Sequence, residues 1–298
     1  MILAITGGTG FVGGHVIRRA LEAGHEVRAL ARRAQPARDG VTWIAGALDD
    51  AAALAALTAQ TDAVIHIAGV VNAPDRAGFV AGNIAGTRAI VAATAPETRF
   101  VHVSSLSARE PRLSIYGWSK HEAEAVIAAS GLAWDMVRPP GIYGPGDMEL
   151  LDVFRVARSG ISITPPAGRV SWIHVDDLAR LLVTLAETPA SRAIYEVDDG
   201  REGGWTHRAF AIAMGAAMGR KVRPIALAPA LLRIGARIDR LIRGRNAKLT
   251  ADRVAYFCHP DWTVDPAKRP AATIWTPRIA GEAGLKETVE SYRAAGLV

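Results

Sequence analysis

The chain has 298 residues, of which 50% are hydrophobic and 21% are charged, and its formal net charge is +6. This composition is typical of a globular protein and excludes a disordered one; no apolar run approaches the roughly 20 residues needed to span a bilayer, and the single cysteine, Cys258, excludes an internal disulfide framework. The basic excess would suit nucleic acid or an anionic small ligand. Because no nucleic-acid motif occurs, we favour the phosphates of a cofactor.

The amino terminus combines a short strand, a glycine-rich turn and a helix. MILAIT is an apolar run, and GGTGFVGGHVIRRALEAG follows it with Gly7, Gly10 and Gly13 spaced three apart. Such glycines allow a sharp turn, close approach to a pyrophosphate and tight packing of helix on strand, while the helix start offers free N–H groups. The order of these elements predicts dinucleotide binding, with a purely structural turn as the alternative.

The second predicted strand, HEVRALARR, ends in two arginines, Arg32 and Arg33. Proteins that bind NAD usually carry an acidic residue near this strand end, where it meets the ribose 2′-hydroxyl, and none is present. Two guanidinium groups would instead bind the 2′-phosphate of NADP. The sequence therefore favours NADP over NAD, the alternative being that both arginines are solvated loop residues.

Further strands and helices alternate along the first half of the chain. Strands are predicted at 41–46, 62–69 and 99–105, and helical patterns at 50–58 and 76–95. This alternation predicts a parallel, doubly wound sheet, in which ligands bind beyond the carboxyl ends of the strands. Gly7, Ala68, Gly69 and Ser105 lie at such ends.

Residues 114–130 are predicted to form a helix that Ser114 caps and Gly131 follows. Tyr116 and Lys120 are four residues apart, so their side chains would share one face. A nearby ammonium favours phenolate and should lower the pKa of Tyr116, which could then exchange a proton with a substrate hydroxyl or carbonyl. The alternative is that Lys120 is merely solvated.

After the proline-rich segment 162–168 the strand-helix rhythm changes. RVSWIHV and AIYEVDD are strand-like, and DDLARLLVTLAE, HRAFAIAMGAAMG, 229–243 and 250–258 look helical. An arginine cluster (Arg233, Arg237, Arg240, Arg243 and Arg245) could bind an anion, but its spacing favours a solvated helix face. His66, His102 and His174 lie in strand patterns and are interpreted as core residues rather than metal ligands, so no metal is expected.

Several motifs together resemble the extended branch of the short-chain dehydrogenase/reductase superfamily, which includes NAD(P)-dependent epimerases, dehydratases and dihydroflavonol-reductase-like proteins. They are TGGTGFVG, HIAG, NIAGT, VSS, YGWSK, RPPGIYGPGD, WIHVDDLA and the ending WTPRIAGEAGLKETVESYRAAG. The resemblance implies an α/β fold: a Rossmann-type doubly wound parallel sheet with a smaller C-terminal α/β substrate lobe. Residues 1–160 would form the NAD(P)-binding domain, and 161–298 mainly the lobe, with some segments returning to the main sheet.

The same resemblance implies roles for individual residues. Tyr116 would be the proton donor or acceptor, Lys120 would lower its pKa and hold the nicotinamide ribose, and Ser105 would bind the reacting oxygen, with Ser104 as the alternative serine. The expected cofactor-binding residues are Gly7, Thr9, Gly10, Phe11, Val12, Gly13, Arg32, Arg33, Leu48, Ala68, Gly69, Lys120, Pro139 and Ile142.

The leading hypothesis is an NADP-dependent oxidoreductase that moves hydride between nicotinamide and a carbonyl or alcohol carbon of a small molecule. The alternatives are an NAD-dependent sugar-nucleotide epimerase or dehydratase, and a non-catalytic NADP-binding sensor or assembly protein. A cytoplasmic location is expected because no basic leader precedes the first strand. We expect neither nucleic acid nor a membrane as partner, and a homodimer only through the resemblance.

Overall fold

The computed structural model describes residues 1–244 and 251–298. Its strands, in chain order, are β1 Ile2–Thr6, β2 Glu26–Ala31, β3 Val41–Ala45, β4 Ala63–His66, β5 Arg99–Val103, β6 Ala133–Arg138, β7 Gly141–Tyr143, β8 Ile161–Thr164, β9 Arg169–Val170, β10 Trp172–His174, β11 Ile194–Glu196, β12 Trp205–Thr206, β13 Arg223–Ala226 and β14 Asp261–Trp262.

The α-helices are α1 Phe11–Glu22, α2 Ala51–Thr58, α3 Arg76–Phe79, α4 Gly86–Ala93, α5 Ile115–Ala128, α6 Leu151–Ala157, α7 Val175–Glu187, α8 His207–Ala217, α9 Pro229–Arg243, α10 Ala251–Phe257 and α11 Gly281–Ala294. A 3-10 turn covers Leu106–Arg109, and a π-helical segment covers Val80–Ala85. Of the predicted arginine cluster, Arg245 lies outside the described residues, as does Thr250 of the helix predicted at 250–258.

Seven strands form one parallel sheet in the order β11-β6-β5-β4-β1-β2-β3. From β1 the chain winds outward to β2 and β3 on one side, then returns to β4, β5 and β6 on the other. The direction of winding therefore reverses between β1 and β4, which is where doubly wound sheets open a ligand crevice. The predicted Rossmann-type α/β fold is confirmed.

Strand sequences explain why the sheet is buried. Every residue of β4 and β5 is buried, and β1 is buried from Leu3 to Thr6, as expected for parallel strands covered on both faces. Leu54 and Leu57 of α2, Ile90 of α4 and Ile127 of α5 supply the helical side of the same core. Ser114 caps α5 by accepting a hydrogen bond from the N–H of Gly117, as the sequence predicts.

The helical stretch predicted at 76–95 is present, but it is not one regular helix. A π-helical segment separates α3 from α4, and the last helical residue is Ala93. Such segments widen the helix locally and are frequent at functional sites. Here the segment carries Asn83.

Internal contacts divide the chain into two units. The first unit contains Met1–Pro139, Asp176–Glu196 and Ala267–Thr276; the second contains Pro140–Val175, Val197–Pro266 and Pro277–Val298. Two consecutive prolines, Pro139 and Pro140, follow β6, and because proline lacks an N–H the chain leaves the sheet there.

The second unit has its own aromatic core. The rings of Trp172 and Phe210 stack with centroids 4.2 Å apart, and Tyr143 packs edge-on against Trp172 with centroids 6.4 Å apart. Three small sheets surround this core: β7 with β10, β8 with β13, and β9 between β12 and β14.

Candidate active site

The turn between β1 and α1 forms a backbone cradle that only glycine allows. Gly7 has a φ of +75°, and an added Cβ on Gly13 would lie 2.0 Å from the carbonyl oxygen of Gly7. The N–H of Gly10 donates to that same oxygen at 3.0 Å, which closes the turn. The sequence analysis expects glycine at these positions because the turn and the helix pack closely. The distances show that this close packing leaves no room for a side chain at Gly13.

The start of α1 leaves donors free. Gly10 is the N-cap residue and has no side chain to cap the helix, so the N–H groups of Phe11, Val12 and Gly13 have no acceptor in the part of the chain that the structure describes. Unpaired N–H groups at a helix start attract anions. The cradle therefore fits the pyrophosphate of a dinucleotide.

Arg32 and Arg33 directly follow β2, the neighbour of β1 in the sheet. Both side chains are exposed, and neither forms an ion pair or a side-chain hydrogen bond with another residue in 1–244 or 251–298. They lie one strand away from the glycine turn, at the same carboxyl edge of the sheet. Two unpaired guanidinium groups at this position suit an additional phosphate.

Ser105, Tyr116 and Lys120 come together at the carboxyl edge of β5. The hydroxyl groups of Tyr116 and Ser105 are hydrogen-bonded, and Tyr116 is half-buried. Ser105 Oγ also accepts from the backbone N–H and the hydroxyl of Ser107, at 3.2 and 2.9 Å. Ser105 therefore keeps its own hydroxyl proton available for the oxygen of Tyr116 or of a substrate.

Ser104, the alternative serine, has a different environment. Its hydroxyl donates to the carboxylate of Glu124, and the side chain is buried. Successive residues of an extended chain point to opposite sides, so Ser104 and Ser105 cannot both face Tyr116. The geometry pairs Ser105 with the phenol.

The pKa of Tyr116 shifts in the direction opposite to the sequence-based expectation. Burial raises the pKa of Tyr116, and the hydrogen bond from Ser105 opposes this shift; Lys120 does not contribute. The ammonium of Lys120 donates instead to the carbonyl oxygen of Val103 at 2.8 Å. Tyr116 keeps its proton at neutral pH, as a tyrosine with an ordinary pKa also does.

Lys120 is itself perturbed. Burial lowers the pKa of Lys120 to about 8, and the carboxylate of Glu124 opposes that shift. Of its three N–H donors, one is used on Val103, so two remain for a ligand. An added Cβ on Gly69 would lie 3.9 Å from Nζ, which places the ammonium beside the predicted cofactor residues Ala68 and Gly69.

Asn83 is a site residue whose role sequence reasoning missed. Its side chain is buried, accepts from the N–H of Val70 at 2.7 Å, and donates to the carbonyl of Val70 at 3.0 Å and to Ser119 Oγ at 2.8 Å. Ser119 in turn donates to the carbonyl of Tyr116 at 2.8 Å. Asn83 thus ties the loop after β4 to the first turn of α5. The quoted motif NIAGT is the sequence signal that contains it.

A buried network of charged side chains packs next to the site and joins α5 to the ends of β5 and β6. Arg138, at the end of β6, donates to both carboxylate oxygens of Glu124 at 2.8 and 2.6 Å, and pairs with the buried Glu196 at 3.5 Å. Burial lowers the pKa of Arg138, but the two carboxylates outweigh burial and raise it overall. Since Glu124 also holds Ser104, the network fixes the end of β5 against α5.

The buried histidines have structural partners or stack on each other. Thr6 Oγ1 and His66 Nδ1 are 2.7 Å apart, and Thr6 accepts from the N–H of Ala68 at 3.2 Å, which joins the ends of β1 and β4. The rings of His66 and His102 stack with centroids 5.1 Å apart, and burial lowers the pKa of His66 to about 3. Within the described ranges, no cluster of three or more His, Cys, Asp or Glu side chains could hold a metal ion.

The remaining predicted cofactor residues lie in several different elements. Thr9 lies in the glycine turn, and Leu48 follows β3 and packs against Gly86 of α4, where an added Cβ would lie 2.6 Å from Leu48 Cδ1. Pro139 follows β6, and its carbonyl accepts from the N–H of Leu106 at 2.9 Å. Ile142 belongs to β7 of the second unit, where it pairs with Ile173 of β10.

Across the sheet edge, these groups follow the strand order. Ser105, the loop at Ala68, the turn at Gly7 and Arg32 follow β5, β4, β1 and β2, which are adjacent strands. With strands about 4.8 Å apart, the first and last are roughly 14 Å apart, enough for an extended dinucleotide. The fold and this edge define a Rossmann-type protein with a nicotinamide-dinucleotide site.

Comparisons with known proteins agree with that class. The family model described as NAD dependent epimerase/dehydratase family matches residues 3–197. A ceramide reductase of Caulobacter vibrioides is 37% identical over 306 aligned positions, covering 99% of this chain and 95% of the relative. The chain therefore belongs to the NAD-dependent epimerase/dehydratase family, and it is an NAD(P)-dependent enzyme.

Solved structures share the fold at lower identity. The Bordetella bronchiseptica enzyme WbmH, in complex with NAD+, has a TM-score of 0.76 and 21% identity, with 99% of each chain covered. The human epimerase family protein SDR39U1, with NADPH, has a TM-score of 0.75 and 22% identity, with 97% of this chain and 99% of that chain covered. One of these neighbours holds NAD+ and the other NADPH.

Proposed function

We propose that the protein is an NADPH-dependent ketone reductase whose substrate is a ceramide-class lipid. The observations that carry the reductase assignment are the meeting of Ser105, Tyr116 and Lys120 at the carboxyl edge of β5 and the 37% identity to a ceramide reductase over 99% of this chain. Reduction of a ketone consumes a proton at the carbonyl oxygen, and a protonated phenol can donate that proton. Oxidation of an alcohol would need the phenolate first.

The bound nicotinamide would supply the hydride. The hydroxyls of Ser105 and Tyr116 would donate hydrogen bonds to the ketone oxygen, where negative charge develops as the carbon is reduced. Tyr116 then transfers its proton to that oxygen, giving the alcohol, and regains a proton from solvent. Lys120, with two unused N–H donors, would hold the ribose hydroxyls.

The preference for NADPH is supported by Arg32 and Arg33. Their guanidinium groups are exposed and unpaired among the described residues, and they follow the strand next to the glycine turn. A 2′-phosphate would form charge-assisted hydrogen bonds there, whereas the 2′-hydroxyl of NADH would find no carboxylate.

The substrate class is supported by the ceramide reductase of Caulobacter vibrioides, which is 37% identical with 99% of this chain covered. Ceramides are N-acylated long-chain amino alcohols, so the matching oxidised compound is a long-chain ketone beside an acylated nitrogen. This is the ketone we propose as substrate.

The test uses NADPH deuterated at the transferred position of the nicotinamide and such a keto-lipid in detergent. We expect an alcohol product that carries one deuterium on carbon, together with oxidation of one NADPH per product. Tyr116→Phe should bind NADPH but form little product. Purified protein that carries tightly bound NAD and interconverts a sugar nucleotide without net cofactor consumption would overturn the proposal in favour of an epimerase.

If instead NADPH binds tightly and no keto-lipid or other carbonyl compound is turned over, the reductase assignment is wrong and a cofactor-sensing role replaces it.

A further inference from the structure

Helix α9 in the second unit exposes an unusual amount of apolar surface. Leu231, Ile234, Ile238, Leu241 and Ile242 are 53%, 49%, 51%, 85% and 77% exposed. At 100° per residue these five side chains fall within an arc of about 100°. A single exposed leucine needs no explanation, but a continuous apolar stripe on a surface helix indicates a partner.

The opposite side of α9 is the side that packs against the rest of the second unit. Ala236 is buried, Leu232 and Asp239 are half-buried, and Asp239 pairs with Arg243 at 3.3 Å. The apolar stripe is therefore additional to the face that the fold already uses.

Arginines border the stripe on one side. Arg233, Arg237 and Arg240 are exposed and project between about 40° and 100° from the nearest edge of the stripe. The helix thus has three sectors: a packed side, an apolar stripe and a basic flank. This arrangement is typical of helices that lie in the interface of a bilayer, with arginines at the level of anionic headgroups.

The small sheet of β8 and β13, which precedes α9 in the chain, also exposes isoleucines. Ile163 of β8 and Ile225 of β13 are register partners, so they lie on the same face, and they are 55% and 39% exposed. Ile161 shares that face and is 41% exposed, whereas Ser162 and Thr164 are buried on the other. Strand β13 ends at Ala226, and α9 begins at Pro229. Only two residues therefore separate this strand from the helix.

We propose that α9 docks the protein on the surface of a bilayer that contains anionic lipids. Charge complementarity favours an anionic bilayer over a second copy of the chain. Pairing two α9 helices would bring their arginine flanks together. The only acidic residue of α9, Asp239, is half-buried and already paired with Arg243, so it could not balance these charges. The inference goes beyond the proposed chemistry and uses no property of the substrate.

The proposal changes the sequence-based expectation that no membrane is a partner. That expectation depended on the lack of a spanning segment, and among the described residues no helix has the length and apolarity to cross a bilayer. Lying on a membrane is a different physical state, which needs an amphipathic helix rather than a continuous apolar one.

The test is flotation of the full-length protein with phosphatidylcholine vesicles, with and without phosphatidylglycerol. We expect the protein to float with the anionic vesicles and to remain behind with the neutral ones. The double variant Leu241→Glu, Ile242→Glu should reduce the bound fraction about tenfold, because two charges enter the stripe. Replacing the three flanking arginines by glutamine should remove the preference for phosphatidylglycerol.

Ile212→Glu is the matched control. Ile212 is 45% exposed on α8 and lies outside the α9 stripe, so this variant should bind vesicles like the wild type. An unchanged circular dichroism spectrum and unfolding temperature in every variant show that each one is folded. Because no substrate enters the assay, its result is independent of whether the reductase assignment is right.

Two results would overturn the proposal. One is equal flotation of wild type and the Leu241, Ile242 double variant, or no flotation at all. The other is a lipid-free dimer, seen by light scattering, that the same double variant converts to a monomer, since the stripe would then be a contact between copies of the chain.

Discussion

Adjacent glycines in α1 give a matched pair of substitutions that tests the dinucleotide cradle. In Gly13→Ala the new Cβ would lie 2.0 Å from the carbonyl oxygen of Gly7, about 1 Å closer than real Cβ contacts allow. In Gly14→Ala the new Cβ would have no neighbour within 4 Å. The two variants add the same methyl group one residue apart, so only the surroundings differ.

The magnitudes follow from those surroundings. Gly13→Ala should lower the free energy of unfolding by about 1–3.5 kcal/mol: overpacking costs roughly 1–3 kcal/mol and a weakened hydrogen bond between Gly10 and Gly7 about 1 kcal/mol, while the helix preference of alanine offsets about 0.5–1 kcal/mol. NADPH affinity should fall by at least about tenfold because the turn must open by about 1 Å. Gly14→Ala should raise stability by about 0.5–1 kcal/mol, since alanine favours a helix interior.

Urea unfolding and a fluorescence titration with NADPH measure both quantities. Gly14→Ala should bind NADPH like the wild type. Wild-type affinity in Gly13→Ala, or an equal loss of affinity in both variants, would refute the assignment of the cofactor phosphates to this turn.

Three further predictions concern the other groups of the site. Arg32→Ala with Arg33→Ala should weaken NADPH binding about tenfold or more and leave NADH binding unchanged, measured by fluorescence titration; equal losses for both cofactors would argue against a 2′-phosphate site. Ser105→Ala should lower kcat about a hundredfold, and Ser104→Ala should leave kcat unchanged, because the phenol of Tyr116 bonds to Ser105 whereas Ser104 bonds to Glu124. If steady-state kinetics show the larger loss of kcat in Ser104→Ala, Ser104 is the serine that binds the reacting oxygen. Burial lowers the pKa of Lys120 to about 8, so the side chain is charged below pH 8 and loses its charge as the pH rises above 8. NADPH affinity should therefore fall between pH 7 and pH 9. In Lys120→Met this pH dependence of the affinity should be absent.

Local patterns were enough to predict the elements that form the site. Tyr116 and Lys120 share a helix face because the spacing is local, and Ser114 caps that helix for the same reason. The glycine turn was equally predictable, since its strand, loop and helix are consecutive. The family resemblance then supplied the order of the remaining motifs.

Other features depend on residues that are far apart in the sequence. Glu124 and Arg138 meet Glu196 only because β11 returns to the edge of the sheet beside β6. The pKa of Tyr116 was predicted in the wrong direction because burial, which spacing does not reveal, outweighs the other influences. The division at Pro139 likewise depends on which segments return to the first unit.

The exposure of α9 could be predicted from the sequence only in part. The arginine spacing was correctly interpreted as an exposed face, as the exposure of Arg233, Arg237 and Arg240 shows. Exposure of the intervening leucines and isoleucines was not predictable, because an amphipathic pattern ordinarily places them against the core.

The most direct test of the central claim is the single-turnover rate of hydride transfer from NADPH to the keto-lipid in wild type and in Tyr116→Phe. We expect Tyr116→Phe to keep its NADPH affinity and to lose about a hundredfold to ten-thousandfold in rate, because the variant lacks the proton that the ketone oxygen must receive. A Tyr116→Phe enzyme that transfers hydride at the wild-type rate would contradict the central claim.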